Sequence, residues 1–147
     1  MRIFRLHRAQ RTAADFGGSL LYPGRWNPAG TPMLYAASAL SLACLELLVH
    51  LPPNQIPMDL VYSWAELKET PEAADFRGDL ADLDATRRYG RRWATAGQAL
   101  ALRVPSVIVP IEFNVLLNPT HSEYTEMAWS APEPFQLDRR LILKTSA

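Results

Sequence analysis

Glu46 is the one formal charge between Trp26 and Met58. Its sequence neighbours are Leu42, Ala43, Cys44, Leu45, Leu47, Leu48 and Val49. An ionised carboxylate is costly to bury unless it is paired or hydrogen-bonded. A segment that keeps one acid on an apolar helix therefore keeps it for a reason. A carboxylate in apolar surroundings can carry a shifted pKa or stabilise a cation that forms beside it. The plain alternative is a rim position on the polar face of an amphipathic helix. That face would hold Ser38, Ser41 or Leu42, and His50, so it is thinly polar at best.

Three further residues have chemistry suited to such an acid. Arg25 lies in GRWNPAG, where a tight turn can present its guanidinium fork to a phosphate or a carboxylate. It reads equally as a turn arginine in a surface salt bridge. Tyr35 follows that turn; its ring can stack on a flat heterocycle while its hydroxyl bonds elsewhere, or it can be plain core. Ser106 enters the apolar run VPSVIVPIEF, where a buried hydroxyl needs a partner. No Gly-x-Ser-x-Gly turn surrounds it, and His7, His50 and His121 show no defining spacing. A hydrogen bond to a ligand suits Ser106 better than covalent catalysis.

Other patterns are excluded. No cluster of His, Cys or carboxylates has metal-ligand spacing, so no metal site is expected. There is no phosphate-cradling Gly-rich loop. The run RRYGRR at 87–92 is offset by Asp75, Asp79, Asp82 and Asp84 and reads as a self-neutralising solvated surface. Asn114, Asn118 and Pro119 look like turn chemistry. The formal net charge is zero, which argues against a nucleic-acid or membrane-surface binder. The single cysteine, Cys44, permits no internal disulfide and suits packing as a small hydrophobe in a reducing, cytoplasmic setting. No N-terminal signal and no membrane span are visible.

The elements that must position these residues are short, because twelve prolines interrupt the chain. Strands are predicted over 1–7, 33–36 and 58–64. Further β-rich segments cover 100–103, 106–111 and 113–117, and a last strand runs over 135–143. A helix from about Ala39 to His50 is capped by Ser38 and stopped by Pro52 and Pro53. Residues 66–84 read as loop with a short helix near Pro71. A second helix spans 84–96 and ends at Gly97. A short helix is expected over 120–129. At 147 residues this fits one domain, 1–147, of α+β class with mainly antiparallel sheets flanked by short helices.

Two blocks, GRWNPAGTPMLYAASALSLACLE and VPSVIVPIEFNVLLNP, resemble the RES family, named for an arginine, a glutamate and a serine. The resemblance runs to the PFQLDRRLIL segment. It implies an ADP-ribosyltransferase-like fold and a site with Arg25, Tyr35 and Glu46 as catalytic residues. Ser106, Trp26 and Asn27 would bind substrate. It further implies the toxin of a RES–Xre toxin–antitoxin pair that degrades NAD by hydrolysis or phosphorolysis. The alternative is transfer of ADP-ribose to a protein. The chemistry fits: breaking the nicotinamide–ribose bond spreads positive charge onto the sugar, which Glu46 would stabilise. Arg25 would take the pyrophosphate, and Tyr35 with Trp26 would wall the nicotinamide. NAD would be the substrate, with no added cofactor. An Xre-type antitoxin is the implied partner, and homodimerisation is compatible with the family. Two rivals differ in class: a non-catalytic module that only pairs with a DNA-binding partner, and a nucleic-acid-cleaving toxin.

Overall fold

A computed structural model describes residues 1–145, with side chains through Ile142. Strands β1 (Arg2–Arg8) and β3 (Leu60–Glu66) pair antiparallel along their whole length, from Arg2 opposite Glu66 to Arg8 opposite Leu60. Strands β2 (Leu34–Ala37), β4 (Ala101–Pro105) and β5 (Phe113–Leu117) form a second antiparallel group, with β5 in the middle. Counting β6 (Glu133–Pro134), the sheet has six strands in the order β4-β5-β2-β1-β3-β6. The two groups meet at a narrow joint, where β1 and β2 are paired through Phe4 and Ala37. Beyond that pair the two strands leave their ladder.

Opposed residues in an antiparallel ladder share a face, and side chains alternate along each strand. One face carries Ile3, Leu34, Ala36, Ala65, Val115 and Leu117, a core closed by Phe16, Tyr124, Met127 and Trp129. The other face carries Tyr35, Leu102, Val104 and Leu116, packed with Trp26 and with Ala94 of α3 (Leu83–Ala96). Burying these apolar faces at roughly 25 cal/mol per Å² is the main term holding sheet and helices together. Asp82 caps α3 by accepting from the Ala85 N–H at 3.1 Å. Gly97 ends α3 in the left-handed region at φ 63°, as expected. The other helices are α1 (Gly17–Leu21), α2 (Leu40–His50) and α4 (Arg139–Thr145).

The α+β class and the mainly antiparallel pairing are as expected; several element assignments are not. Ser38 does not cap α2. Its N–H bonds to the Phe113 carbonyl as an extension of the sheet, and Ala39 stands at the cap position. Residues 106–111 form a turn rather than a strand. The Ser106 hydroxyl accepts the N–H groups of Ile108 and Val109, both at 3.1 Å, and this local bonding displaces a ladder. The strand expected over 135–143 does not form: the two-residue β6 ends at Pro134, before this range, and α4 begins at Arg139. The Asp138 carboxylate accepts the Arg140 N–H at 2.9 Å and starts the helix instead. No helix forms near Pro71; Ala73 bridges to Arg103. At 120–129 the helical part is a single 3₁₀ turn, Tyr124–Glu126.

Candidate active site

The GRWNP turn is organised by one buried amide. Asn27 is 1% exposed. Its Oδ1 accepts from the Gly24 N–H at 3.0 Å and from the Tyr35 hydroxyl at 2.6 Å. Its Nδ2 donates to the carbonyls of Ser19, Tyr22 and Pro28. The Tyr35 oxygen in turn accepts the Trp26 N–H at 3.0 Å. Gly24 is required here, because a Cβ would lie 2.5 Å from the Tyr35 hydroxyl. Burial pushes the Tyr35 phenol up to about 12, so it stays neutral and presents an uncharged ring.

Helix α3 closes over the back of this turn. Thr86 donates to the Arg25 carbonyl, and Arg87 Nε donates to the Gly24 carbonyl at 2.8 Å. Gly90 sits against the Trp26 carbonyl, where any Cβ would collide with backbone. The arginine run thus serves partly as a clamp. Among the described residues its guanidinium groups form no salt bridge to the upstream aspartates; Asp75 accepts from the Tyr89 hydroxyl at 2.7 Å, and Arg92 acts on it through its field without a direct pair. Self-neutralisation by direct pairing is therefore not how this surface is built.

Glu46 lies on α2, with its side chain 25% exposed. Its Oε1 accepts from Asn114 Nδ2 at 2.6 Å and from the Ser106 hydroxyl at 3.1 Å. Its Oε2 lies 3.9 Å from His50 Nε2, one helical turn on. The strand register ties this acid to Tyr35. Asn114 stands opposite Ala37, and Tyr35 is two residues from Ala37, so Asn114 and Tyr35 are diagonal neighbours on one sheet face. Such neighbours are about 7–8 Å apart.

Where β1 and β2 part, a cavity of about 320 Å³ opens. Arg5 of β1 lines one wall and Tyr35 and Met33 the other; Asn27, Ser19 and Tyr22 contribute from the connecting segment. Arg5 donates through Nη1 to the Ala13 carbonyl at 2.6 Å. Its remaining donors have no acceptor among the described residues and are not sealed from solvent. Burial lowers its pKa to about 10, so it stays cationic at neutral pH. Asp15 also lines the cavity, but Arg11 and the Gly17 N–H engage its carboxylate and hold its pKa down.

The structure thus gathers the expected residues into two groups. Tyr35, Asn27 and the backbone of Arg25 and Trp26 form the turn; Glu46 and Ser106 form the acid cluster. Arg25 and Glu46 make no ion pair. The Arg25 guanidinium donates to the Leu80 carbonyl, although it lies near enough to Tyr35 to act on the phenol electrostatically. The Trp26 ring is 2% exposed and packs edge-on against Phe76 and Tyr89, so it is no wall for a ligand. Ser106 is fully buried, with its hydroxyl spent on Glu46.

Sequence reasoning missed Arg5 and misread Asn114. The signal for Arg5 was alternation: in β1 it shares the inward face with Ile3 and His7, whereas Arg2 and Arg8 point the other way. Asn114 read as turn chemistry, yet it is the polar residue of an otherwise apolar strand. Cys44 is buried as expected, and burial raises its thiol pKa. Among the described residues no group of His, Cys, Asp and Glu could hold a metal. Among the described residues no helix is long and apolar enough to cross a membrane.

The fold and site define an α+β domain with an acid held over a split antiparallel sheet. The RES domain family model matches residues 2–138, and the chain belongs to that family. It is 38% identical to "Toxin Res" of Pseudomonas putida, across 85% of this chain and 90% of that one. It is 30% identical to "Toxin Res" of Photorhabdus laumondii subsp. laumondii, across 97% of each. It is 34% identical to "Prs ADP-ribosylating toxin" of Sphingobium sp., across 86% of this chain and 85% of the relative. A chain in the crystal structure of the M. tuberculosis MbcT–MbcA toxin–antitoxin complex shares the fold with a TM-score of 0.68 at 13% identity, covering 98% of this chain and 87% of that one.

Proposed function

We propose that this chain is the toxin of a toxin–antitoxin pair and that it cleaves the nicotinamide–ribose bond of NAD. The observation that carries the reading is Glu46: a carboxylate with one oxygen held by two donors, above the sheet face that bears Tyr35. Loss of nicotinamide leaves an oxocarbenium-like ribose. A fixed carboxylate stabilises that charge without having to reorganise. Oε2 is the oxygen available to do so and to accept from a ribose hydroxyl. The neutral Tyr35 ring offers a flat surface to the nicotinamide. The 320 Å³ cavity, lined by Tyr35 and Arg5 but not by Glu46, falls at the lower end of small-molecule sites, roughly 300–1,000 Å³. Its cation, Arg5, suits one phosphate of the dinucleotide. Arg25, engaged at Leu80, supplies positive potential at the phenol.

NAD is the substrate in this reading, with water or phosphate as acceptor and no further cofactor. The partner is an Xre-type antitoxin, and the setting is cytoplasmic. Incubation with NAD, with and without phosphate, tests the reaction: nicotinamide release is expected, with ADP-ribose or its 1-phosphate as the other product. Intact NAD after prolonged incubation rejects it. A second reading, transfer of ADP-ribose to a protein, is favoured by the 34% identity to a relative named as ADP-ribosylating. Radiolabel retained on a macromolecule selects that reading; label in small products selects consumption.

A further inference from the structure

We infer that Asn114 is a positioning residue for Glu46, holding Oε1 so that Oε2 is the oxygen turned to the substrate. The inference rests on the proposed role of Glu46. Both donors converge on the same oxygen: Asn114 Nδ2 at 2.6 Å and the Ser106 hydroxyl at 3.1 Å. A carboxylate oxygen with two strong donors is close to saturated, which fixes the plane of the group and leaves its twin with no hydrogen bond of its own among the described residues. Ser106 has no freedom to turn away. Its oxygen already accepts the N–H groups of Ile108 and Val109, so its single proton points at Glu46. Asn114 is fixed in turn by its place in β5, opposite Ala37 on one side and Val104 on the other. The acid sits on a helix, and its orientation is set from the sheet. His50 on α2 stands 3.9 Å from Glu46 Oε2, not Oε1. Among the described residues no other donor competes with Asn114 and Ser106 for Oε1.

The same geometry predicts an unusual response to one substitution. Asn114→Asp keeps size and shape but places a second carboxylate at the 2.6 Å contact. Two carboxylates that close cannot both be ionised without strong repulsion, and one pKa rises. Once that group takes a proton, an O–H donor to Glu46 is restored.

The test is nicotinamide release from NAD by the purified chain, followed against pH. Asn114→Ala is expected to lower kcat about 10- to 100-fold with KM changed less than about threefold. Ser106→Ala is expected to shift kcat in the same direction by a smaller factor. Asn114→Asp is expected to be impaired above neutral pH and to gain activity relative to wild type as pH falls towards 5. A packing defect alone would lower its activity in parallel at every pH. Wild type and variant differ only at position 114, so the difference between their profiles isolates that position. The inference is overturned if folded Asn114→Ala matches wild-type kcat, or if the Asn114→Asp profile runs parallel to wild type. Glu46→Ala separates the two levels. If it still releases nicotinamide at the wild-type rate, the functional reading itself fails. If it is inactive while the Asn114 variants turn over normally, only the positioning role falls.

Discussion

Glu46→Ala is expected to reduce nicotinamide release at least about 100-fold without unfolding the chain, because it removes the charge that meets the developing cation. Kinetics together with a melting curve check this; wild-type turnover in a folded variant would sink the role. Arg5→Gln keeps a donor for the Ala13 carbonyl but removes the cation from the cavity. The expected result is a KM for NAD raised about 10- to 100-fold with kcat nearly unchanged, the loss of a charge-assisted contact of about 1.5–3 kcal/mol. Tyr35 makes a pH prediction. Its folded pKa is raised to about 12 by burial, so the folded state holds the proton after the unfolded chain has lost it. The stability this contributes is present below pH 10 and lost as pH rises from about 10 to about 12. Burial lowers the Arg5 pKa to about 10, and that works in the opposite direction over the same range. The comparison is therefore with Tyr35→Phe. Denaturant midpoints should show wild type losing on the order of 2 kcal/mol relative to the variant between those pH values. Parallel curves would show that the phenol is not held as described.

At the scale of elements, the close approach of α3 to the GRWNP turn is the critical contact. Gly90→Ala drives a methyl group into the Trp26 carbonyl, which is backbone and cannot swing aside. Overpacking of this kind costs about 1–3 kcal/mol, and the rigid partner puts it at the upper end. Urea unfolding is the measurement, and an unchanged midpoint would refute the contact. Much of this level was legible in advance. Apolar periodicity and the flanking prolines located α2, and Gly97 marked the end of α3. The strand at the N-terminus was also located, but its register against β3 was not. The segments that misled were those where side chains capture the backbone. Ser106 folds its strand end into a turn, Asp138 starts a helix inside an apolar run, and Ser38 gives its N–H to a distant strand. Each is a competition between local bonds and a ladder, decided by partners that sequence spacing does not reveal.

For the molecule as a whole, expression in a bacterial host is expected to arrest growth and deplete NAD, and Glu46→Ala is expected to abolish both. Growth arrest with an intact NAD pool would point to the protein-modifying alternative or to another target. The chain by itself determined the α+β class, the isolation of Glu46 and the kinship of its two motif blocks. Those depend on residue types and near-neighbour spacing, which a linear reading contains. The tertiary structure alone decided what surrounds the acid. Asn114 is 68 residues from Glu46, and Ser106 is 60. The cation in the cavity is Arg5, brought to Tyr35 by the narrow joint between β1 and β2. Contacts across such separations are set by strand register and by where a ladder ends. Those depend on the collective packing of two sheet faces, and no single segment encodes them.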